Sequence, residues 1–523
     1  MSSGRSSSVA GRLLVVLSAA LLILSFPNFN LSFLAWIALV PLLFAIENKT
    51  PREAFGLAYL CGAIFFLGTI YWLIHVTLPG MIGLALFLAL YFGLFGLALS
   101  YALRLPCRQA GIANYGLLFF IPAVWVAIEW LRSSLLSGFG WVLLAHSQST
   151  ALPVIQISDI TGAYGASFLV MLVNSAIYIT IRDMRTKNSR TIPCLAVAVL
   201  VLYVSVAYGT VRLKNIFTGE QLKVSVIQGN IPQDEKWNPD LSGKILDKYE
   251  RLTKEAAKDK PDLIVWPEAS VPGFMETEKT LSDRMKALAI STGTHILVGA
   301  PRGEGSYARL YNSAVLFSEE GRVVDRYDKV HLVPFGEYVP LKKIFSFVEK
   351  FAKSQIGDFS PGKEYKVFKF FIERRSSGGG TEWKLLKKAK FSCLICFEDI
   401  FPDLTRQFVK NGAVFLANIT NDAWFGKSSA PYQHMQCSVF RAVENRVNVI
   451  RAANTGISCF IDQKGRVTDI VESGGKAIFV DGFKTGVITL TPTRTFYTVF
   501  GDIFAYLCIL YAALFLLYQK KKF

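Results

Sequence analysis

Long apolar runs occupy both ends of the chain and leave one long polar stretch between them. A run of about 20 apolar residues is long enough to cross the hydrocarbon core of a bilayer as a helix. Hydrophobic residues make up 52% of the 523 residues, and charged residues only 18%. We therefore predict eight transmembrane helices, at 13–26, 31–46, 54–76, 81–105, 115–131, 160–181, 192–211 and 496–518.

This pattern divides the chain into three parts. Residues 1–216 would form a bundle of seven spans, 217–491 a domain outside the membrane, and 492–523 the eighth span with a short tail. The first apolar run is short and follows Arg5 and Arg12, so it could instead belong to a signal peptide. No small-residue cleavage site follows it, which favours a retained span.

Lysine and arginine residues are concentrated in alternate loops, and such loops stay in the cytoplasm. They occur at 5 and 12, 49 and 52, 104 and 108, 182–190 and 520–522, whereas the loops at 27–30 and 77–80 have none. This distribution predicts cytoplasmic termini and places 217–491 across the membrane, in the periplasm of a bacterial inner membrane. It also accounts for much of the net charge of +17, so we expect no nucleic-acid partner.

The polar stretch alternates β-rich segments with helical ones, which predicts a layered domain of strands and helices. About 275 residues are enough for such a domain to bury its own core. The predicted strands are 223–228, 263–266, 295–299, 312–317, 391–397, 413–418 and 456–461, with a hairpin turn at 318–321. The predicted helices are 242–258, 278–292, 402–410 and 432–448.

Cys393 and Cys396 form a CxxC pattern, which is typical of redox and zinc sites. The surrounding run is apolar and strand-like, and residues three apart on a strand point to opposite faces. The sequence contains no second CxxC and no histidine pair at zinc spacing. We therefore expect neither a disulfide nor a metal site here, and treat Cys396 as a separate thiol.

Three reactive side chains stand near the ends of predicted elements. Glu268 follows a buried-type strand and Pro267, which cannot continue a ladder, so it would project from the strand end and could serve as a base. Lys329 could supply a positive charge for a developing oxyanion, and Glu337 could orient either group. Cys396 precedes a helix and could attack an acyl carbonyl as a thiolate. Taken singly, a surface acid, an ordinary ion pair and an inert thiol are the alternatives.

The order of these residues resembles that of the nitrilase, or carbon–nitrogen hydrolase, superfamily, which carries a Glu–Lys–Cys triad on an α-β-β-α sandwich. The segments 226–231, 311–313, 418–426 and 441–446 share the resemblance. It implies that Glu268 is the general base, Lys329 stabilises the oxyanion and Cys396 is the nucleophile, with no metal or organic cofactor. Glu398 resembles a family position that supports the triad; a solvated acid is its alternative.

The whole chain resembles the integral enzymes that acylate lipoproteins in Gram-negative inner membranes, because seven spans precede the polar stretch and one follows it. The segment 334–340, Pro-Phe-Gly-Glu-Tyr-Val-Pro, adds to this likeness. The resemblance implies an α+β membrane protein in which an eight-span bundle carries a nitrilase-like α-β-β-α sandwich. It also implies a phospholipid acyl donor, a diacylglyceryl-modified apolipoprotein acceptor and ping-pong transfer through a thioester.

Three aromatic residues are candidates for contacting acyl chains, since amphipathic aromatics favour the membrane interface. They are Trp237, Phe335 and Trp424, for which plain core packing is the alternative. A membrane-anchored amidase that uses water as acceptor would need the same triad, and it stays open. A transporter with an inactive domain would leave the triad unexplained. Nothing in the sequence requires a partner subunit, so we expect a monomer.

Overall fold

The computed structural model describes residues 2–104, 110–185, 192–304, 309–339, 358–375 and 383–520. The end of the predicted span 81–105 and the basic residues at 108, 187, 190, 521 and 522 lie outside these ranges. The chain forms two compact units. Unit 1 comprises Met1–Asn215, Ser428–Phe440 and Phe500–Phe523, and unit 2 comprises Ile216–Lys427 and Arg441–Val499.

Unit 1 is helical. Four of its segments are long and apolar enough to cross a membrane: Leu78–Leu103, Tyr115–Ser134, Ala163–Arg185 and Pro193–Lys214. They coincide with the fourth to seventh predicted spans. Three other predicted spans correspond to shorter apolar helices, Val9–Leu24, Ser32–Ile46 and Ile503–Tyr518. Four candidate spans are thus established among the described residues, and the number eight stays a prediction.

The helices of unit 1 have the following bounds. The α-helices are Ser2–Leu24, Val40–Ile46, Pro51–Thr69, Leu78–Arg104, Ala110–Ser134, Leu152–Ile155, Ser158–Thr161, Ala163–Arg185, Ile192–Lys214 and Ile503–Lys520. The 3-10 helices are Ser32–Trp36, Tyr71–His75 and Leu144–Gln148. The predicted span 54–76 is therefore divided, because its α-helix ends at Thr69 and a 3-10 turn follows.

Local sequence explains where the helix Pro51–Thr69 begins. The Thr50 hydroxyl accepts a hydrogen bond from the Glu53 N–H, and the Glu53 carboxylate accepts one from the Thr50 N–H. This reciprocal cap satisfies two N–H groups that have no partner within the helix. Pro51 suits the first helical position, where a missing N–H costs nothing.

Gln433 is the hub of a buried hydrogen-bond cluster in unit 1. Its Oε1 accepts from the indole N–H of Trp72 at 3.0 Å and from that of Trp141 at 2.8 Å. Its Nε2 donates to the Thr69 carbonyl at 3.0 Å. Gln433 is buried on the helix Ala430–Asn445, whose first residues are assigned to unit 1. Its removal would leave buried indole donors without this acceptor, which is costly.

Unit 2 contains two six-stranded sheets. Their strands are β1 Glu220–Gln228, β2 Leu263–Val265, β3 His295–Glu304, β4 Arg309–Phe317, β5 Val323–Asp328, β6 Phe368–Arg375, β7 Trp383–Ile395, β8 Phe415–Thr420, β9 Asn448–Ala453, β10 Cys459–Ile461, β11 Val467–Thr468 and β12 Gly482–Leu490. Helices in or bordering unit 2 are Ser242–Ala257, Lys279–Thr292, Pro402–Lys410 and Phe496–Phe500, with 3-10 turns Pro239–Leu241, Cys396–Ile400 and Asp422–Phe425.

Both sheets repeat one pattern of pairing. The orders are β12-β1-β2-β3-β4-β5 and β11-β10-β9-β8-β7-β6. In the first sheet β1, β2 and β3 are parallel, and in the second β7, β8 and β9 are parallel; the flanking strands are antiparallel. Since β5 runs in the same direction as β2 and β3, the segments that follow β2 and β5 leave the sheet at one edge.

Two helices cover the first sheet and bury its apolar face. Tyr249 from Ser242–Ala257 stacks on Trp266, with ring centroids 4.8 Å apart. The Trp266 indole also donates to the Thr253 hydroxyl at 2.8 Å. Leu288 from Lys279–Thr292 belongs to the same buried cluster. Trp266 is fully buried, and its ring is held both by stacking on Tyr249 and by the hydrogen bond to Thr253. The chain immediately after β2 therefore has a fixed position.

Most of the predicted elements of the polar stretch are confirmed, but several bounds were wrong. The predicted strand 391–397 ends at Ile395, so Cys396 opens a 3-10 turn and is not on the strand. Opposite strand faces therefore do not separate Cys393 from Cys396. The predicted helix 432–448 ends at Asn445, because β-branched residues there continue into β9. Neither Cys393 nor Cys396 takes part in a disulfide.

Candidate active site

Glu268 is held at the end of β2 by close packing around its backbone. A side chain at Gly299 would place a Cβ 2.7 Å from the Glu268 Cα, so only glycine permits this approach. Ala269 has a φ of 45°, an uncommon value for a residue other than glycine. Glu268 is 8% exposed, so its carboxylate is close to, but not cut off from, the surface.

Lys329 lies just after β5, at the same sheet edge as Glu268. Its Nζ is 2.9 Å from Glu337 Oε1 and 3.5 Å from Glu268 Oε1. The side chain is 1% exposed, and burial alone would lower the pKa of this lysine. The two carboxylates outweigh burial and raise the pKa of Lys329 above its ordinary value. Lys329 is therefore a fixed positive charge.

Glu337 and Asn312 complete the hydrogen bonding of this ion pair. The Asn312 amide donates to Glu268 Oε1 at 2.7 Å and to Glu337 Oε1 at 2.9 Å. Glu337 Oε2 accepts from the Val333 N–H at 2.8 Å. The two carboxylate oxygens near the Lys329 ammonium, one from Glu268 and one from Glu337, are thus both held by the Asn312 amide. This arrangement orients the lysine toward Glu268.

Cys396 follows β7 directly and has a φ of 53°, so its backbone makes a sharp left-handed turn. Asn418 on β8 supports this turn by donating to the Cys396 carbonyl at 3.3 Å. Arg451 in turn donates to Asn418 Oδ1 at 2.9 Å. Cys396 is partly exposed, whereas Cys393 is completely buried. Cys396 is therefore the more accessible residue of the pair.

The thiol of Cys396 interacts electrostatically with both Glu268 and Lys329. Burial and the Glu268 charge raise its pKa well above the ordinary value, while Lys329 and a hydrogen bond with Thr420 oppose this shift. The resting group is therefore a neutral thiol. It needs a base to become a nucleophile, and Glu268 is a carboxylate within interaction range. The structure thus brings together all three residues of the predicted triad.

Comparison with known proteins identifies the family. Two family models match, Apolipoprotein N-acyltransferase N-terminal domain at residues 18–176 and Carbon-nitrogen hydrolase at residues 223–478. The apolipoprotein N-acyltransferase of Geobacter metallireducens is 42% identical, over 96% of this chain and 94% of its own. The chain belongs to the apolipoprotein N-acyltransferase family.

A more distant relative agrees with this assignment. The apolipoprotein N-acyltransferase of Methylococcus capsulatus is 31% identical, over 94% of this chain and 92% of its own. Among solved structures, an amidase from Nesterenkonia sp. aligns with 53% of this chain and 94% of its own, at 18% identity and a TM-score of 0.37. The two family models and the relatives that they agree with show that the protein is an acyltransferase of this family with a carbon–nitrogen hydrolase domain.

In this family member, Glu398 connects the segments that carry two residues of the predicted triad, Lys329 and Cys396. Its Oε1 accepts from the Tyr327 hydroxyl at 2.7 Å and from the Val330 N–H at 2.8 Å. Its Oε2 accepts from the Ile395 N–H at 2.8 Å. Burial raises the pKa of Glu398 to about 7, although the hydrogen bonds oppose the shift. Glu398 is thus a buried connector and not a solvated acid.

The three predicted aromatic contacts lie in different surroundings. Trp237 is 49% exposed and Phe335 is 44% exposed, whereas Trp424 is half-buried. Phe335 has a φ of 61°, and its N–H donates to the Tyr338 carbonyl at 2.8 Å. Large exposed aromatic rings are available for contact with an apolar ligand. Their role in substrate binding stays a prediction.

Sequence reasoning missed four residues that support the site. Asn312 stands in the segment 311–313 that resembles the superfamily, which was the available signal. Asn418 likewise lies in a motif, but Arg451 does not. Lys236 reaches the Glu268 carbonyl at 2.9 Å from a loop 32 residues earlier, and no sequence pattern indicates this contact.

Proposed function

We propose that this enzyme transfers a fatty acyl chain from a phospholipid to the N-terminal amine of the diacylglyceryl-cysteine of apolipoproteins. One observation carries the chemical part of the proposal. The Cys396 thiol, whose pKa is raised, is under the combined influence of a carboxylate, Glu268, and a permanently charged lysine, Lys329. This arrangement suits acyl transfer through a thioester. Membership of the family supports the identity of donor and acceptor.

In the first half-reaction Glu268 takes the proton from the Cys396 sulfur, and the thiolate attacks the ester carbonyl of the phospholipid. The Lys329 ammonium stabilises the negative charge that develops on the carbonyl oxygen. When the tetrahedral intermediate collapses, the carbon–oxygen bond breaks and Glu268 returns its proton to the departing alkoxide. The products are a lysophospholipid and an acyl thioester on Cys396.

In the second half-reaction the α-amine of the lipoprotein attacks the thioester, and Glu268 accepts the amine proton. The carbon–sulfur bond breaks, and the thiolate of Cys396 recovers its proton from Glu268. Because the same nucleophile serves two substrates in turn, the kinetics are ping-pong. Glu337 holds Lys329 in place throughout, and Glu398 fixes the segments on either side of the site.

We assign this chemistry to a domain at residues 217–491, built as an α-β-β-α sandwich. Contacts between the sheets support the sandwich: the Ser458 N–H donates to Gln228 Oε1 at 3.2 Å, and the rings of His295 and Phe370 lie 4.9 Å apart. Residues 1–216 and 492–523 then supply eight spans of a Gram-negative inner membrane. The positive charges of alternate loops favour cytoplasmic termini and a periplasmic domain.

Both substrates carry acyl chains, so they reach the enzyme from the bilayer. Trp237, Phe335 and Trp424 would contact these chains with their exposed ring surface. One chain carries the complete triad, so a monomer suffices for the reaction.

The test is an assay of purified enzyme with phospholipid and a diacylglyceryl-cysteine peptide, followed by mass spectrometry of the peptide. We expect the peptide to gain the mass of one acyl chain. Cys396→Ala should abolish the gain, whereas the matched variant Cys393→Ala should keep most of it. Free fatty acid with an unchanged peptide would instead identify a hydrolase that uses water. Activity that survives in Cys396→Ala would refute the assignment of the nucleophile.

A further inference from the structure

A second buried lysine lies beside the proposed general base. Lys236 is 3% exposed, and its ammonium donates a 2.9 Å hydrogen bond to the main-chain carbonyl of Glu268. Lysines are almost never buried to this extent unless their charge is compensated. We propose that Lys236 is a positioning residue for acyl transfer: it fixes the Glu268 backbone and supplies a second positive charge beside Glu268 and Cys396. This inference rests on the proposed function of the site.

The hydrogen bond from Lys236 acts on an unusual peptide. The carbonyl that it holds belongs to the bond between Glu268 and Ala269, where the φ of 45° is uncommon for alanine. Such conformations persist only where the surroundings determine them. Lys236 restrains this peptide through a hydrogen bond, whereas Gly299 restrains it by allowing the two backbones to pack closely. The direction in which the Glu268 carboxylate leaves the backbone depends on both.

The loop that carries Lys236 is itself built into the fold. Asn454, just after β9, accepts from the Ile231 N–H at 2.9 Å and donates to the Ile231 carbonyl at 2.8 Å. The Lys236 N–H then closes a turn on the Pro232 carbonyl at 3.1 Å. The lysine is thus delivered to Glu268 by an anchored turn, which is the arrangement that a positioning role needs.

The charges around the thiol indicate why a second ammonium is useful. Glu268 and Glu337 provide two negative charges, and Lys329 compensates one of them. With Lys236, these four groups and Cys396 together carry no net charge, both before and after a proton moves from Cys396 to Glu268. Without Lys236, one negative charge lacks a compensating cation among these groups: it lies on a carboxylate before the transfer and on the thiolate after it. A buried unpaired charge is strongly unfavourable.

One more acid, Asp422, faces the thiol, and it shares the cation Arg451 with Asp399. Asp422 acts electrostatically on Cys396 and lies 3.9 Å from Arg451, which also pairs with Asp399 at 2.9 Å. Burial lowers the pKa of Lys236 to about 8, while Glu268 and Cys396 oppose the shift. At neutral pH Lys236 is therefore mainly an ammonium, the form that supplies the second positive charge.

The test compares the full-length enzyme with Lys236→Met and Lys236→Gln. Met removes both charge and donor at similar volume, and Gln keeps a donor without the charge. The measurement is the rate of alkylation of Cys396 by iodoacetamide between pH 6 and about 10, a range that covers thiol titration, read on its peptide by mass spectrometry. Lys244→Met, on the exposed face of Ser242–Ala257, is the matched control.

We expect both Lys236 variants to alkylate Cys396 at least about tenfold more slowly at neutral pH, because one pKa unit changes the thiolate population tenfold. The kcat for lipopeptide acylation should fall together with the alkylation rate, while the KM for the phospholipid donor changes little. Wild-type profiles in both variants, with only the melting temperature lowered, would show a purely structural lysine. A profile restored by Lys236→Gln would refute the role of the charge. If the wild-type enzyme does not acylate the lipopeptide, the proposed function is refuted. The alkylation rates of Cys396 would still show whether Lys236 affects the thiol.

Discussion

The substitution Glu337→Gln tests whether Lys329 depends on a charged partner. Glu337 Oε1 is 2.9 Å from the Lys329 ammonium, and Glu337 Oε2 accepts from the Val333 N–H. Glutamine keeps the shape of the side chain and one acceptor oxygen but removes the charge. Lys329 would then rely on Glu268 alone, at 3.5 Å. A carboxylate bound more tightly by the lysine is a weaker base, so proton transfer from the thiol should slow.

Distances in the site give the size of the effect. With an effective dielectric constant of about 20, unit charges attract by about 6 kcal/mol at 2.9 Å and by about 5 kcal/mol at 3.5 Å. The substitution thus removes roughly half of the gross attraction on Lys329. Measured net costs of breaking a buried pair are about 3–5 kcal/mol. A loss of about 3 kcal/mol in the transition state lowers kcat by about two orders of magnitude.

The assay measures kcat for peptide acylation and the melting temperature in detergent for Glu337→Gln. The same substitution at an exposed position, Glu472→Gln, is the control and should change neither. We expect kcat to fall strongly and the melting temperature to fall as well, since the pair is buried. A kcat close to that of the wild type would show that Lys329 acts without Glu337, and the account of the charge balance would be wrong.

Three further changes have defined outcomes. Gly299→Ala adds a Cβ 2.7 Å from the Glu268 Cα and should lower kcat about a hundredfold by displacing the base, as steady-state kinetics would show. Burial raises the pKa of Glu398 from 4.5 to about 7, so the folded protein binds this proton more tightly than the unfolded chain. The melting temperature should therefore fall as the pH rises from 4.5 through about 7, and Glu398→Gln should flatten that dependence. Gln433→Leu should lower the free energy of unfolding by about 2 kcal/mol, because two buried indole N–H groups lose an acceptor; an unchanged melting temperature would contradict this.

The strands that carry the candidate site were predictable because they are short apolar runs that end at distinctive residues. β2 ends before Trp266 and Pro267, and the apolar run of β7 leads directly into Cys396. Fully buried parallel strands read as continuous apolar segments, which makes them visible in a sequence. The triad was predicted from the order of its residues along the chain.

The missed strands have less distinct patterns. β5, Val323–Asp328, contains as many charged as hydrophobic residues, and β12 lies at a sheet edge where only alternate residues are buried. β9 follows a helix after two residues, so its apolar residues extend the helical pattern.

Supporting contacts escape sequence reasoning for a different physical reason. Asn312 meets Glu268 across 44 residues, and Asn418 meets Cys396 across 22. These contacts depend on strand order, which the apolar pattern does not contain. A short polar side chain within a strand has no apolar pattern that distinguishes a support from a solvated residue. Only the pairing of β4 with β3 and β5 brings Asn312 between the two carboxylates.

The assignment of Ser428–Phe440 to unit 1 limits how the chain can be divided. The polypeptide leaves unit 1 after Asn215, returns to it for one stretch of helix, and returns again at Phe500. A fragment of residues 217–491 would contain Gln433 but none of the tryptophan or carbonyl partners that it binds in unit 1. Such a fragment would expose unsatisfied polar groups and apolar surface, and it should aggregate when expressed alone. We therefore expect that residues 217–491 are not a transferable module, and that an active truncated form has to retain residues of unit 1.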